Sequence, residues 1–196
     1  SREKAHDEKI RLIRINPKNR TIISADKTTL KIWDDLFNLI NEIQLSDKED
    51  VWEKIIFNPT GYSFLSITAN GFIKLWSSDG TLIASLPGHD RLDMKSYDIK
   101  QPLQGHVSSI SDVEYSRDGK FIATSSSDGT IRIWQKNGEI IRVLRGHGAS
   151  VSDIDISPDS QTIVSLDVEG KVKLWNISDS KPFLEIDKYA SQYDTN

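Results

Sequence analysis

Ser126-Ser127-Asp128-Gly129-Thr130-Ile131-Arg132-Ile133-Trp134 reads as a turn followed by a short strand that stops at a tryptophan. Working outward, the same ending recurs as Thr29-Leu30-Lys31-Ile32-Trp33, Phe72-Ile73-Lys74-Leu75-Trp76 and Lys171-Val172-Lys173-Leu174-Trp175, at intervals of 43, 58 and 41 residues. A period near 40 that ends each time in a Trp strand points to a repeat architecture. Around Trp134 the repeat unit is a chain of short apolar runs. Ile110 to Ser116, Phe121 to Ser126, Thr130 to Trp134 and Glu139 to Leu144 are each bounded by Gly, Asp, Asn or Pro. Runs of this length, rich in β-branched residues and punctuated in this way, predict strand, turn, strand, turn, strand, turn, strand. Asp128-Gly129 between two such runs predicts a tight type I′ hairpin turn. Each unit is therefore expected to be a four-stranded antiparallel meander, and the chain all-β.

The other units align by simple shifts. A shift of 41 places His147 on His106 and Trp175 on Trp134. A shift of 58 places Ile55, Phe57, Gly61 and Trp76 in the second unit. A shift of 100 fits His6, Ile10, Ile13, Ile15 and Pro17 in the first, where Trp33 then arrives one residue early, so that its second turn is a residue short.

With Leu144-Arg145-Gly146-His147, Ser157-Pro158-Asp159 and Asp128-Gly129 through Trp134 in place, the repeats resemble WD40 repeats, over residues from about 5 to 187. The wording after each Trp is similar to that of bacterial WD-repeat proteins. The resemblance implies β-propeller blades at about 5–46, 47–87, 105–145 and 146–187, with an insertion at 88–104 and a tail at 188–196. It also implies a structural tetrad in the third unit of His106, Ser126, Asp128 and Trp134. In that tetrad Asp accepts from His, His engages Ser, and Ser engages the Trp indole N–H. His6, His147, Trp33, Trp76 and Trp175 are the equivalent structural residues of the other units. Those units read as degraded: Asp167 and Glu169 stand at the Ser and Asp positions of unit four, Lys48, Thr68 and Asn70 replace three members in unit two, and Asp26 lies near the shortened turn of unit one. Blade three is accordingly expected to be the most rigid.

A WD40 ring usually closes with about seven or eight blades, so four units leave an open arc. Three arrangements follow: further blades of a longer chain, two copies forming one ring, or completion by another protein. The chain starts at Ser1 and not at Met, which favours the first. Between Leu86-Pro87-Gly88-His89 and Leu103-Gln104-Gly105-His106, two copies of one motif, lies a segment too short for a blade. It reads as a loop extension, a collapsed blade remnant or a join across missing residues. A solvated insertion is its plainest reading. If it binds a protein, Arg91, Asp93, Lys95 and Tyr97 are the candidate contacts.

Composition narrows the function. A net charge of -4 gives no electrostatic reason to expect nucleic acid as partner. With no Cys there is no disulfide framework or thiolate metal site, and the cytoplasm is the expected compartment. No apolar run approaches the roughly 20 residues that span a bilayer, so no membrane association is expected. Ser, His and Asp occur as in a hydrolase triad, but they recur with the repeat period and fit the tetrad better. No metal or cofactor motif is present. Trp52, which aligns with Ile110 and Val151, is expected in the core. The resemblance thus implies a non-enzymatic protein-interaction scaffold that presents loops to partner proteins. A sensor or regulatory portion of a larger signalling NTPase or kinase is one alternative, and a self-associating half-propeller is the other.

Overall fold

The computed structural model describes residues 5–45, 50–86 and 105–187. The described strands form four separate antiparallel sheets of four. The first holds β1 (Leu12–Ile15), β2 (Ile22–Ala25), β3 (Thr29–Trp33) and β4 (Leu39–Gln44). The second holds β5 (Trp52–Phe57), β6 (Ser63–Thr68), β7 (Ile73–Ser77) and β8 (Leu82–Leu86). The third holds β9 (Ile110–Tyr115), β10 (Phe121–Ser126), β11 (Thr130–Gln135) and β12 (Ile140–Arg145). The fourth holds β13 (Val151–Ile156), β14 (Thr162–Asp167), β15 (Val172–Asn176) and β16 (Pro182–Ile186). Each sheet is a simple meander, with its strands side by side in chain order. The chain is all-β, as its alternating runs require. Residues 88–104, and with them Arg91, Asp93, Lys95 and Tyr97, lie outside the described residues.

The turns differ from the sequence expectation in one respect. Gly129 has φ +77°, but Asp128 does not share the left-handed region, so the β10–β11 turn is not type I′. Instead the Gly129 N–H bonds back to the Ser126 carbonyl at 3.1 Å. This is a type I turn closed by one left-handed residue, a common hairpin solution. The same three-residue closure recurs from Gly71 to Thr68, Gly119 to Ser116, Gly138 to Gln135 and Gly170 to Asp167. In the first sheet Phe37 occupies such a position at φ +64°, and in the fourth Ser160 does so at φ +60°. The short second turn of unit one is real: Ala25 pairs with Leu30, five residues on, where Ser125 pairs with Ile131.

Every sheet also carries a bulge opposite its Trp. Ile133 pairs with Arg142 but Trp134 with Ile140, which leaves Ile141 as the extra residue. Ile40, Ile83 and Phe183 are the extra residues of the other sheets. Bulges re-aim neighbouring side chains and blunt edge strands. All four bulged residues are large, apolar and exposed.

The chain divides into two compact units, Ser1–Pro87 and Gly88–Asn196, each holding two sheets. In the first unit, Trp52, Ile55, Phe64 and Trp76 of the second sheet pack against Ile23, Ala25, Leu30 and Ile32 of the first. In the second unit, Val151, Ile154, Ile163 and Trp175 of the fourth sheet pack against Phe121, Ala123, Ile131 and Ile133 of the third. The junction is the same in both: the Trp-bearing face of the later sheet lies on the opposite face of the earlier one. Each fully covered Ile, Leu or Phe contributes about 1.5–3 kcal/mol, so these junctions dominate the stability of either unit. Polar links reinforce them. Asn16 donates through Nδ2 to the Gly61 carbonyl at 2.8 Å, and Asn41 through Nδ2 to the Asp79 carbonyl at 3.0 Å. In the second unit, the Asp112 carboxylate accepts from the Ile154 N–H at 3.4 Å. Trp52 is 2% exposed and belongs to the core of the first unit.

Candidate functional site

The third strand of each sheet carries its Trp at or beside its end, and the indole leans along the sheet toward the second strand. In the third sheet Trp134 pairs with Ile122, so Thr124 is its diagonal neighbour on the same face. Diagonal neighbours lie within reach of an aromatic side chain. Trp134 Nε1 donates to Thr124 Oγ1 at 2.9 Å. Thr124 Oγ1 in turn meets His106 Nε2 at 2.7 Å, and His106 Nδ1 meets Asp128 Oδ2 at 3.0 Å. The hydroxyl of this relay is therefore Thr124 and not Ser126. Ser126 stands four residues beyond Ile122, about 13 Å along the strand, out of reach of the indole. Its own hydroxyl donates to the Ser108 carbonyl and accepts from the Asp128 N–H, each at 3.1 Å.

The same relay stands complete in two units that read as degraded. In the first sheet Trp33 Nε1 donates to Ser24 Oγ at 2.8 Å, Ser24 Oγ meets His6 Nε2 at 2.6 Å, and His6 Nδ1 meets Asp26 Oδ2 at 2.9 Å. In the fourth, Trp175 Nε1 donates to Ser165 Oγ at 2.8 Å, Ser165 Oγ meets His147 Nε2 at 2.7 Å, and His147 Nδ1 meets Asp167 Oδ2 at 2.8 Å. Asp167 is thus the acid of its relay, and Ser165, two residues earlier, is the hydroxyl. Glu169 gives only its backbone N–H, to Asp167 Oδ1. The acid lies 20 residues after His in units one and four, and 22 after it in unit three. In unit three Ser126 occupies the earlier position and Asp128 reaches back from within the turn.

Among the described residues, the second sheet keeps only one end of the relay. Trp76 Nε1 donates to Ser66 Oγ at 2.8 Å. Thr68 Oγ1 accepts from the Phe72 N–H, and Asn70 gives its N–H to Asp50 Oδ1 at 3.1 Å. Lys48 lies outside the described residues. Asp50, 3% exposed, also accepts from its neighbour Val51 and so anchors this turn without a histidine. Sequence reasoning misses Asp50. Its only signal is its place two residues before Trp52, where the strand begins.

Donors and acceptors alternate in one direction through each relay. Trp N–H donates to the hydroxyl, the hydroxyl donates to His Nε2, and His Nδ1–H donates to the carboxylate. That order assigns the neutral Nδ1–H tautomer to His6, His106 and His147. The carboxylates also hold the turns between the second and third strands of their sheets. Asp26 Oδ1 accepts from the Thr28 and Thr29 N–H groups, and Asp167 Oδ1 from those of Glu169 and Lys171. Asp128 accepts from the Thr130 N–H and, across the loop that precedes β9, from the Val107 N–H at 3.1 Å. Burial raises each of these acids, but the hydrogen bonds outweigh it and hold all three below the ordinary carboxylate range. Burial pushes the His147 imidazolium down, against the pull of Asp167.

Hydroxyl, imidazole and carboxylate are linked here as in a hydrolase triad, yet the arrangement is not set up for acyl transfer. Each hydroxyl already accepts the Trp N–H, and Ser24, Thr124 and Ser165 are 4%, 0% and 1% exposed. A nucleophile must reach a carbonyl carbon at about 3–3.5 Å, which a covered side chain does not do. Among the described residues, no group of three His, Asp or Glu side chains is placed to hold a metal ion, and no helix is long and apolar enough to cross a membrane. What the relays do is fix one end of the first, third and fourth sheets. In the second unit that end exposes Val107 and Val168, at 56% and 67%, on backbone pinned by hydrogen bonds.

Residues 97–135 and 138–176 match the WD40 family (WD domain, G-beta repeat). The chain is 31% identical over 139 residues to the B-type regulatory subunit of protein phosphatase PP2A from Schizosaccharomyces pombe, covering 66% of this chain and 30% of that protein. It is 28% identical over 141 residues to the serine/threonine-protein phosphatase 2A regulatory subunit phr2AB of Dictyostelium discoideum, covering 67% and 29%. It is 28% identical over 90 residues to the protein HIR1 of Candida albicans, covering 46% and 10%. The chain spans less than a third of the length of these relatives. They are eukaryotic, so the bacterial flavour of the repeats is not echoed in them. The matched repeats fall in the second unit, and the four meanders, three of them with the complete relay, are consistent with WD40 blades.

Proposed function

We propose that this chain is a non-enzymatic scaffold that presents loops on rigid blades to a partner protein in the cytoplasm. The observation that carries the reading is the pinned loop end of the second unit. The Asp128 carboxylate holds the Val107 N–H at 3.1 Å, and the Val168 N–H bonds to the Ser150 carbonyl at 3.0 Å. The two valines therefore stand exposed on backbone that is already ordered. A partner meeting such a surface loses little loop entropy on binding, which is how preformed sites gain affinity. Two relatives are named as regulatory subunits of phosphatases, which supports a regulatory role within a larger assembly.

Quantitative affinity enrichment with the chain as bait tests this. A Val107→Asp/Val168→Asp double variant with an unchanged melting profile is expected to lose specific protein partners that the parent chain retains. Partners retained at equal yield by the double variant would remove the loop end from the mechanism. Steep salt-dependent binding to DNA or RNA would replace the reading by a nucleic-acid one.

A further inference from the structure

At the loop end of the first unit, the segment before β1 and the β2–β3 turn border a cleft of about 490 Å³ lined by Glu8, Lys9, Ile10, Arg11 and Lys27. Three cations stand against one acid there, although the whole chain carries a net charge of -4. Lys9, Arg11 and Lys27 are exposed, and none of them lies in an ion pair among the described residues. Asp26, beside Lys27 in the turn, is already taken by His6 and by the Thr28 and Thr29 N–H groups.

The repeat does not demand these cations. The alignment that sets Ile10 on Trp52, Ile110 and Val151 puts Arg11 on Glu53, Ser111 and Ser152, and Lys9 on Val51, Ser109 and Ser150. Lys27 follows Asp26 as Ala69 follows Thr68, Ser127 follows Ser126 and Val168 follows Asp167. The other three units thus hold no cation at any of these places. Nor does the opening depend on the uncovered face of the first sheet. In the second and fourth sheets, whose Trp-bearing faces are covered, the places of Arg11 and Lys27 still reach solvent: Glu53 and Ala69 are exposed, Ser152 is half-buried and Val168 is exposed. The backbone that carries the cations is held as well. The Arg11 N–H bonds to the Ala25 carbonyl at 2.8 Å, and the Lys27 carbonyl accepts the Trp52 N–H at 3.3 Å.

We propose that this cleft seats an acidic segment of a partner protein, with Lys9, Arg11 and Lys27 on its carboxylates and Ile10 as an apolar contact. Cations of this kind meet a carboxylate through charge-assisted hydrogen bonds without first giving up an internal ion pair. Clusters of cationic side chains recognise acidic motifs in this way. The inference rests on the reading of the chain as a protein-binding scaffold, but it uses the first unit and not the valines of the second.

Fluorescence anisotropy of a labelled hexaglutamate peptide, titrated with the 196-residue chain at low ionic strength, tests it. Hexaglutamate is expected to bind and a hexaglutamine peptide not to, and the affinity is expected to fall as salt shortens the Debye length. Arg11→Glu and Lys27→Glu are each expected to weaken binding by roughly 10-fold or more, the effect of losing one hydrogen bond to a charged group. Both positions are exposed, and unchanged thermal unfolding confirms that the variants fold. The Val107→Asp/Val168→Asp variant is expected to bind hexaglutamate as the parent does, so the two surfaces stand or fall separately. A parent chain that ignores hexaglutamate overturns the proposal. So do Arg11→Glu and Lys27→Glu variants that bind it unchanged. A short oligothymidylate that binds more tightly than hexaglutamate also overturns it, since the cleft would then be a nucleic-acid surface.

Discussion

Replacing Thr124 by Val removes one hydroxyl and almost no volume. The lost oxygen bridges two buried nitrogens, His106 Nε2 at 2.7 Å and Trp134 Nε1 at 2.9 Å. Trp134 is 1% exposed and the His106 side chain is fully covered, so water does not replace the missing partner. A typical hydrogen bond is worth about 1 kcal/mol net, and a stranded buried polar group costs about 1–3 kcal/mol. Thr124→Val is therefore expected to destabilise its sheet by about 2–4 kcal/mol. Ser126→Ala, which loses two bonds at the more open turn, is expected to cost about 1 kcal/mol. Because the chain folds as two compact units, the effect is best read locally. Hydrogen exchange on peptides from β10 and β11 is expected to speed up by roughly 30- to 700-fold in Thr124→Val, at about 1.4 kcal/mol per factor of ten. Urea unfolding followed by Trp fluorescence is expected to rank the variants in the same order. If Ser126→Ala costs as much as Thr124→Val, the relay runs through the other hydroxyl and the geometric argument fails.

Acid is expected to loosen the relays in two stages. The His147 pKa lies below its ordinary value, so the unfolded chain binds the proton more readily; stability is full above about pH 6.5 and falls as pH drops below it. Asp26, Asp128 and Asp167 are also depressed, so their contribution is complete above about pH 4 and lost as pH falls through the lower folded values. Urea midpoints measured from pH 8 to pH 3 check this, and a flat profile down to pH 5 would contradict the His147 stage. Gly61→Ala is expected to cost about 1–3 kcal/mol, since φ is +78° and a Cβ would stand 2.6 Å from Asn16 Oδ1, at the junction of the first two sheets; an unchanged melting temperature would refute the close approach. Among the four sheets, the second is expected to exchange its turn amides fastest, because among the described residues only Trp76–Ser66 remains of its relay; slower exchange there than in the third sheet would break the link between relay and rigidity.

The strands were plain in the sequence because each Trp closes an alternating run that only a half-buried strand satisfies. The relay was harder to read. Thr124-Ser125-Ser126 offers three hydroxyls, and the two-residue period puts Thr124 and Ser126 on one face. Only the reach of the indole from Trp134 separates them. The signal was nonetheless present: Ser66, Thr124 and Ser165 each stand ten residues before their Trp, and Ser24 nine before Trp33. Aligning on that hydroxyl would have exposed Asp167 as an acid and shown units one and four to be complete. The Asp128 position misled because unit three builds its turn differently, with Ser126 capping the residue that carries the acid. The turn type differs from the sequence expectation for a related reason. A carboxylate that must point back to His106 keeps Asp128 out of the left-handed region and leaves that conformation to Gly129.

Long-range ¹H–¹⁵N correlation of the histidine rings at pH 8 examines the relay at its midpoint. His6, His106 and His147 are expected to show the neutral Nδ1–H tautomer, with slowly exchanging indole protons on Trp33, Trp134 and Trp175. An Nε2–H tautomer at any of the three would reverse the direction of its hydrogen bonds and contradict the relay described for that blade.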